Sequence, residues 1–445
     1  MNKPATSLKL VALGMMLVGF SQQAAASGFQ LFEGNAVNMG DFGAGGAAIA
    51  EDASTAFYNP AGLVRLTAPQ LVVSTVGISS KTDFSGKSTW SLPGLPYSKT
   101  FGEDSASGGG FKLVPAFHYA LPLNNVAVFG FSVSAPFGLA TDYANDSVVR
   151  YEATKSDVKT LDISPSIGVK VNEQLSLGAG VDLQRLEATL NSTAGIPVIN
   201  PVTRRPVVPV QLVDANITNV GSDWAFGWHA GALYQFNPST RVGINYAAKV
   251  KHHLKGTSTF TSPVVSFESN DLNADINLPA STTLSAYHDL NQQWAVLASV
   301  VYTQWSSIEK IALNNVQSIN AAGQPITIPA SLPENFRDTW RVALGTNYKL
   351  NEQWLLRAGV GYDQTPVNAH DRGVRLPDGD RIAVAVGSHY QATKALGLDV
   401  GYTHLFIKDG EINHANTTGS QRVETVGTSK NSADLLGLQL TWSIV

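Results

Sequence analysis

Nine histidines are the residues best suited to chemistry in this chain of 445, and their spacing supports none. A helical zinc site such as H-E-x-x-H needs two imidazoles one turn apart, and no such pair occurs. His252 and His253 are neighbours, so in a strand they point to opposite faces and cannot share a ligand. A serine nucleophile on a G-x-S-x-G elbow is absent, and with no cysteine the chain has no thiolate catalysis, disulfide or Cys-bound metal. Gly43-Ala44-Gly45-Gly46-Ala47-Ala48 fits G-x-G-x-x-A, but no strand precedes it and no βαβ unit follows, so it is not a dinucleotide site. No cofactor or metal is expected. What remains is binding chemistry, carried by apolar runs and a few arginines.

The elements that position those residues begin with an address. Lys3 and Lys9, the apolar run Val11 to Phe20 and the small residues Ala24-Ala25-Ala26 form a signal peptide over 1–26. Only 14% of residues are charged, against about 25% in a soluble domain. Yet no later run is long and apolar enough for a membrane helix, and mean hydropathy is +0.01. A barrel reconciles these facts, because only every second residue of its strands faces lipid. A net charge of −4 gives no sign of nucleic-acid binding.

Period two dominates the chain. Leu161, Ile163, Pro165, Ile167 and Val169 alternate with Asp162, Ser164, Ser166, Gly168 and Lys170, and a turn at Asn172-Glu173-Gln174 restarts the pattern. The reading gives fourteen strands over 67–445, among them 224–236, 294–309 and 434–444. Six connections are short turns and seven are long loops, which is the outer-membrane pattern. Trp294 and Tyr302, Trp354 and Tyr362, and Trp340 and Tyr348 sit eight residues apart on one face, as aromatic girdles require; Trp224 and Trp305 join the long-loop girdle. The opposite face is rich in glycine, including Gly178, Gly231, Gly243 and Gly359, which predicts close approach of another backbone. The Gly- and Ala-rich stretch 27–66 is the candidate plug. The fold expected is an all-β, 14-stranded antiparallel transmembrane barrel plugged by an N-terminal hatch, in the outer membrane of a Gram-negative cell.

Several segments match a known family in order along the mature chain. They are Gly28-Phe29-Gln30-Leu31, Asn59-Pro60-Ala61, Phe137-Gly138-Leu139-Ala140-Thr141, Tyr302-Thr303-Gln304-Trp305-Ser306 and Leu376-Pro377-Asp378-Gly379-Asp380-Arg381. The chain thus resembles the long-chain fatty-acid outer-membrane transporters, the FadL family, with its aromatic-hydrocarbon relatives. The resemblance implies a passive channel for hydrophobic small molecules. Capture would be by apolar loops after strands five and seven, with Val207, Val208 and Val210 in the first. Phe29 and Leu31 would lie beside the ligand, and Asn59, Pro60 and Ala61 would belong to the hatch gate. Exit would be sideways at a kinked third strand, where Pro136 and Gly138 break the ladder.

Relatives that take fatty acids hold the carboxylate with basic residues near the end of strand five and before strand ten. Here those places read Thr189-Leu190-Asn191 and Ser331-Leu332-Pro333-Glu334, and the nearest basic residues are Arg185 and Arg337. That departure raises neutral aromatic hydrocarbons as the alternative cargo. Two other classes fit a surface barrel: an embedded hydrolase, needing a Ser–His pair on the outer face, and a structural or adhesive barrel with polar loops. The expected partners are the cargo, outer-membrane lipid and the barrel assembly machinery, with the protein a monomer.

Overall fold

Asparagine side chains set the short turns. Asn172 Oδ1 accepts from the N–H groups of Gln174 and Leu175 at 2.9 and 2.8 Å, and Asn124, Asn291 and Asn351 make the same pair of bonds. Such an Asx turn reverses the chain in three residues and fixes the register of the strands it joins. The computed structural model describes residues 28–32, 34–320 and 322–444; the signal peptide expected over 1–26 lies outside them.

Fourteen antiparallel strands follow one another around a closed ring. They are β1 Gln70–Ser91, β2 Gly110–Pro122, β3 in two pieces Ala127–Ser134 and Gly138–Asp142, β4 Lys155–Lys170, β5 Leu175–Pro197, β6 Leu212–Asn237 and β7 in two pieces Thr240–Ala247 and Val250–Thr261. The second half comprises β8 in two pieces Ser266–Leu278 and Ser281–Asp289, β9 Trp294–Thr303, β10 Thr339–Lys349, β11 Trp354–Asp363, β12 Arg381–Gln391, β13 Leu396–Ile407 and β14 Gln421–Ser443. The ring closes where β1 pairs with β14 from Gln70↔Ser443 to Ser91↔Arg422. Leu344, Val360, Val384, Leu436 and Leu438 stand exposed on its outer face, as lipid contact requires. Trp294 packs on Tyr348 and Tyr302 on Trp340 across one strand pair, at ring separations of 4.5 and 4.7 Å, so the two girdles are built from cross-strand pairs.

Residues 28–66 pack against the inner face. Two short helices, α1 Ala36–Asp41 and α2 Thr55–Tyr58, and a 3-10 turn Pro60–Arg65 carry most of this segment. Asn35 caps α1, accepting from Asn38 N–H at 2.9 Å, and Asn59 caps the 3-10 turn. A segment with so little internal ladder must find its backbone partners elsewhere. The wall supplies them: Ser299 and Ser285 accept from Gly45 and Ala47 N–H, Thr403 donates to Met39 O, and Arg241 and Arg341 donate to Ala48, Ile49 and Phe42 carbonyls. Wall glycines make room, since a Cβ at Gly243 or Gly359 would overlap the backbone of Ala47 or Asp41.

The strands run further than alternation alone indicates. β5, β6 and β14 rise well beyond the lipid-facing girdle, and β6 begins at Leu212 rather than 224. Above the membrane both faces meet water or loop, so the apolar contrast fades while pairing continues. β9 stops at Thr303 instead of 309, and Trp305 turns inward on a 3-10 turn, Trp305–Ser307. It is 1% exposed and is no girdle residue. The connection after β9 carries a hairpin, Lys310–Ile319 with Pro325–Pro333. The loop after strand seven shrinks to Ser262–Val265, because β7 and β8 pair almost to their tips.

Candidate functional site

Backbone pairing fails at a window between β2 and β3. β2 pairs with β1 along Gly110–Ala120 but with β3 only along Phe117–Pro122. Residues 110–116 therefore have no ladder partner on the β3 side among the described residues. The cause lies in β3, where Pro136 brings no N–H and the strand leaves the ladder before resuming at Gly138. Asp142 N–H donates to Gly108 O at 3.0 Å and closes the window from above.

The N-terminal segment fills the broken edge. Leu31 N–H donates to Pro136 O and Gly138 N–H to Phe29 O, both at 2.8 Å, with Gln30 opposite Phe137. The Phe29 ring sits edge-on to Trp305 at 4.9 Å and to Phe137 at 6.0 Å, and Phe336 packs behind Trp305 at 5.8 Å. Gly28 N–H donates to Asp378 Oδ2 at 2.9 Å, and Thr365 and Arg381 hold that carboxylate at 2.6 and 2.5 Å. Gly28 has φ +57°, and a Cβ there would lie 2.8 Å from the Trp305 ring, so only glycine suits the position. Pro136 and Gly138 thus meet Phe29 and Leu31 as one structure. Behind it lies a cavity partly open to solvent, lined by Leu31, Phe57, Pro136, Phe137, Asp182 and His229 among others. His229 bonds Asp182 at 2.7 Å and reaches Ala56 O at 3.2 Å.

Asn59, Pro60 and Ala61 sit away from the window. Asn59 is fully buried and donates to Ala47 O at 2.7 Å and to Ala232 O of β6 at 3.1 Å. It staples two parts of the segment to the wall, while Ala61 and Pro60 pack over Gly178. Val207, Val208 and Val210 lie in the loop between β5 and β6, where Val208 is 78% exposed.

The two arginines expected to meet a carboxylate point elsewhere. In β5 the inward residues are Gln184, Leu186 and Ala188, which leaves Arg185 on the outer face, beside Glu187 at 3.4 Å and over the Trp224 ring at 5.9 Å. Strand parity decides this: a clamp one residue either side would face inward. Arg337 lies at the rim with its side chain 54% exposed, donating to Thr365 O and 3.7 Å from Asp380. Among the described residues no cluster of three His, Asp or Glu side chains forms a metal site.

Sequence reasoning missed three residues. Trp305 is the aromatic seat of Phe29, and Asp378 gives the Pro-Asp-x-Asp-Arg segment a role as anchor of Gly28. The third, Arg375, lines a chamber at the long-loop end. That chamber holds about 780 Å³ of empty space, part of it open to solvent, walled by Leu190, Ile217, Leu313, Val316, Ile328 and Leu332 among others. Arg375 immediately precedes the matched segment, which was the available signal. Trp305→Ala removes most of the seat, a truncation worth about 3–5 kcal/mol in a packed core. In a cysteine-free chain, Gln30→Cys reports the seat cleanly: maleimide labelling should be much faster with Trp305→Ala, and equal rates would dismiss this packing.

The chain matches the family model described as outer membrane protein transport protein (OMPP1/FadL/TodX) over residues 17–443. It is 30% identical to outer membrane protein P1 of Haemophilus influenzae over 467 residues, covering 98% of each chain. It is 29% identical to the long-chain fatty acid transport protein of Salmonella typhi over 423 residues, 90% of this chain and 92% of that one. Among solved structures, a Pseudomonas aeruginosa FadL homologue superposes with a TM-score of 0.81 at 25% identity, covering 94% of this chain and 99% of its own. The CymD monoaromatic hydrocarbon channel shares the fold, with a TM-score of 0.66 at 21% identity over 94% of this chain and 99% of its own.

Proposed function

From the premise that the chain belongs to the outer membrane protein transport protein family of FadL and TodX, we propose that it admits long-chain fatty acids and releases them sideways through the β2–β3 window. The protein is an outer-membrane transporter of hydrophobic substrates and not an enzyme. One observation carries the finer reading: the only chain filling the broken edge of β3 among the described residues is Phe29–Leu31, a segment tied to the wall there by two backbone bonds. A segment held by two backbone bonds is easier to displace than a strand, and substrate displaces it only by favouring the open arrangement. Cargo that leaves through the wall meets lipid directly and needs no wet pore.

Capture falls to the apolar β5–β6 loop, where Val208 is exposed and Val207 and Val210 are half-buried, since apolar side chains reaching water are a weak binding surface. Val207, Val208 and Val210 replaced together by Ser should reduce uptake at limiting substrate and spare it at saturation. Unchanged uptake at both would remove this loop from the mechanism. Neutral aromatic hydrocarbons are the second reading, favoured by the outward turn of Arg185 and the rim position of Arg337. Uptake of oleate against toluene in cells lacking their own transporter separates the two. We expect oleate to enter; toluene entering with no oleate would hand the case to the hydrocarbon reading.

A further inference from the structure

We propose that Arg375 is the carboxylate-recognising residue of this protein, holding the head of an anionic single-chain amphiphile whose tail lies along the apolar wall of the outer chamber. The inference rests on the transport reading above and specifies its substrate class.

Geometry comes first. Arg375 belongs to the loop between β11 and β12, and its side chain folds back to the long-loop end of β4. Its Nη atoms donate to Glu152 O at 2.8 Å, Lys155 O at 3.2 Å and Ser156 Oγ at 3.1 Å. All three acceptors are neutral. The Nε is buried with no partner. A planar guanidinium with a free edge is suited to a carboxylate, and leaving such a group unpaired is costly. The chamber it lines opens at the long-loop end of the barrel. Leu190, Ile217, Leu313 and Val316 are buried along one wall, while Arg375, Glu152 and side chains such as Asn219, Ser318 and Asn416 make the rest of the lining polar.

The surrounding acids have hydrogen-bond partners of their own. Glu152 accepts from His414 at 2.9 Å and from Val374 N–H at 3.1 Å. Burial works against its ionisation, but those bonds outweigh it and hold the carboxyl below its usual range, while Glu152 in turn draws His414 towards its charged form. The other Glu152 oxygen is buried without a bond. Burial pushes the Glu334 carboxyl up to about 8, so at neutral pH it is largely protonated. Asp371 is occupied by His370 at 3.0 Å and Asn335 at 3.1 Å. Burial also holds the Arg375 guanidinium down, at about 10, consistent with a cation short of a counter-charge. Arg375 and Glu152 thus stand together at the polar side of the chamber, across from its apolar wall. Arg375 also stands where the loops from β5 and before β10 meet, the two places whose own basic residues are missing in this chain.

The test compares oleate with oleyl alcohol, two ligands of one chain length that differ in the head group. Binding is measured on the purified full-length barrel in detergent at pH 7, by displacement of a fluorescent hydrocarbon probe. Wild type should bind oleate more tightly than the alcohol. Arg375→Gln should weaken oleate binding about tenfold or more and leave the alcohol within twofold. Arg375→Lys should recover part of the loss, and Arg185→Gln should behave as wild type. An unchanged oleate affinity in Arg375→Gln overturns the assignment, as does an equal fall for both ligands, which marks a structural role. Heat-modifiable migration reports folding. Should Arg375→Gln not fold, the wild-type preference and the Arg375→Lys affinity still decide: no preference for oleate, or no change on Lys replacement, each overturns it. A wild type that binds neither ligand defeats the transport reading itself, a distinct result.

Discussion

A barrel carrying Pro136→Val with Gly138→Val is expected to fold, to migrate as a heat-modifiable band, and to lose nearly all uptake. Pro136→Val restores the N–H whose absence breaks β3, and valine at 138 favours the extended conformation a ladder needs. The free edge of residues 110–116 then has a partner beside it. In hydrocarbon an unpaired backbone group costs several kcal/mol, so the two strands should zip and exclude Phe29–Leu31 from its place. Loss of uptake should be at least about tenfold, matching a shift of roughly 1.4 kcal/mol or more against the open wall. Normal uptake by the folded double variant would move the exit elsewhere, with a path past residues 28–66 to the periplasm as the better account.

Arg357→Met should produce the largest loss of barrier function. Arg357 of β11 is buried at the short-turn end, 2.6 Å from Glu51 and 2.8 Å from Asp399 of β13. It therefore ties residues 28–66 to two strands at once. Breaking a buried pair by deleting one partner costs about 3–5 kcal/mol, because the other charge stays buried and uncompensated. Here the buried Asp399 is left with His389 alone, while the part-exposed Glu51 is released to solvent. The segment should loosen at its base, so that cells become sensitive to large polar antibiotics that an intact barrel excludes. The melting temperature of the purified barrel should fall as well. Unaltered antibiotic sensitivity together with an unaltered melting temperature would show that this ion pair does not hold the segment in place.

The count of strands was readable because membrane barrels write it twice, once as alternation and once as turns. Asn172, Asn291 and Asn351 mark chain reversals by a bond that depends on three consecutive residues alone. The glycine-lined inner face was readable for a similar reason, since a missing side chain at Gly243 or Gly359 implies a close neighbour. What escaped was decided at long range. Trp305 obeys the alternation of β9 on paper, but the strand ends at Thr303 and one 3-10 turn carries the ring inside. Arg185 is near the right height on the wrong face, an error of one residue that strand parity makes complete. Arg375 lies in a loop with no periodicity, and its place depends on where β4 ends, more than 200 residues earlier. The β2–β3 window was half visible: Pro136 announced the break, but nothing local showed that Phe29–Leu31 would occupy it.

The wall of this barrel is completed at β3 by Phe29–Leu31, a segment outside the strand ladder, and that bears on speed. Opening an ordinary seam means parting a whole ladder, whereas this one parts two backbone bonds, the bonds of Gly28 to Asp378 and Gln30 to Thr303, and the contacts of Phe29 and Leu31. Hydrogen bonds are worth about 1 kcal/mol each net, and an aromatic pair adds about 0.5–1.5 kcal/mol beyond its burial. The open form then lies far nearer the closed one than the unfolded barrel does, and is reached by local motion of a segment rather than by barrel unfolding. Throughput would accordingly follow the on–off clock of three residues. Its temperature dependence should be shallow, like that of a loop, while the barrel around it keeps the steep thermal response of a rigid membrane protein.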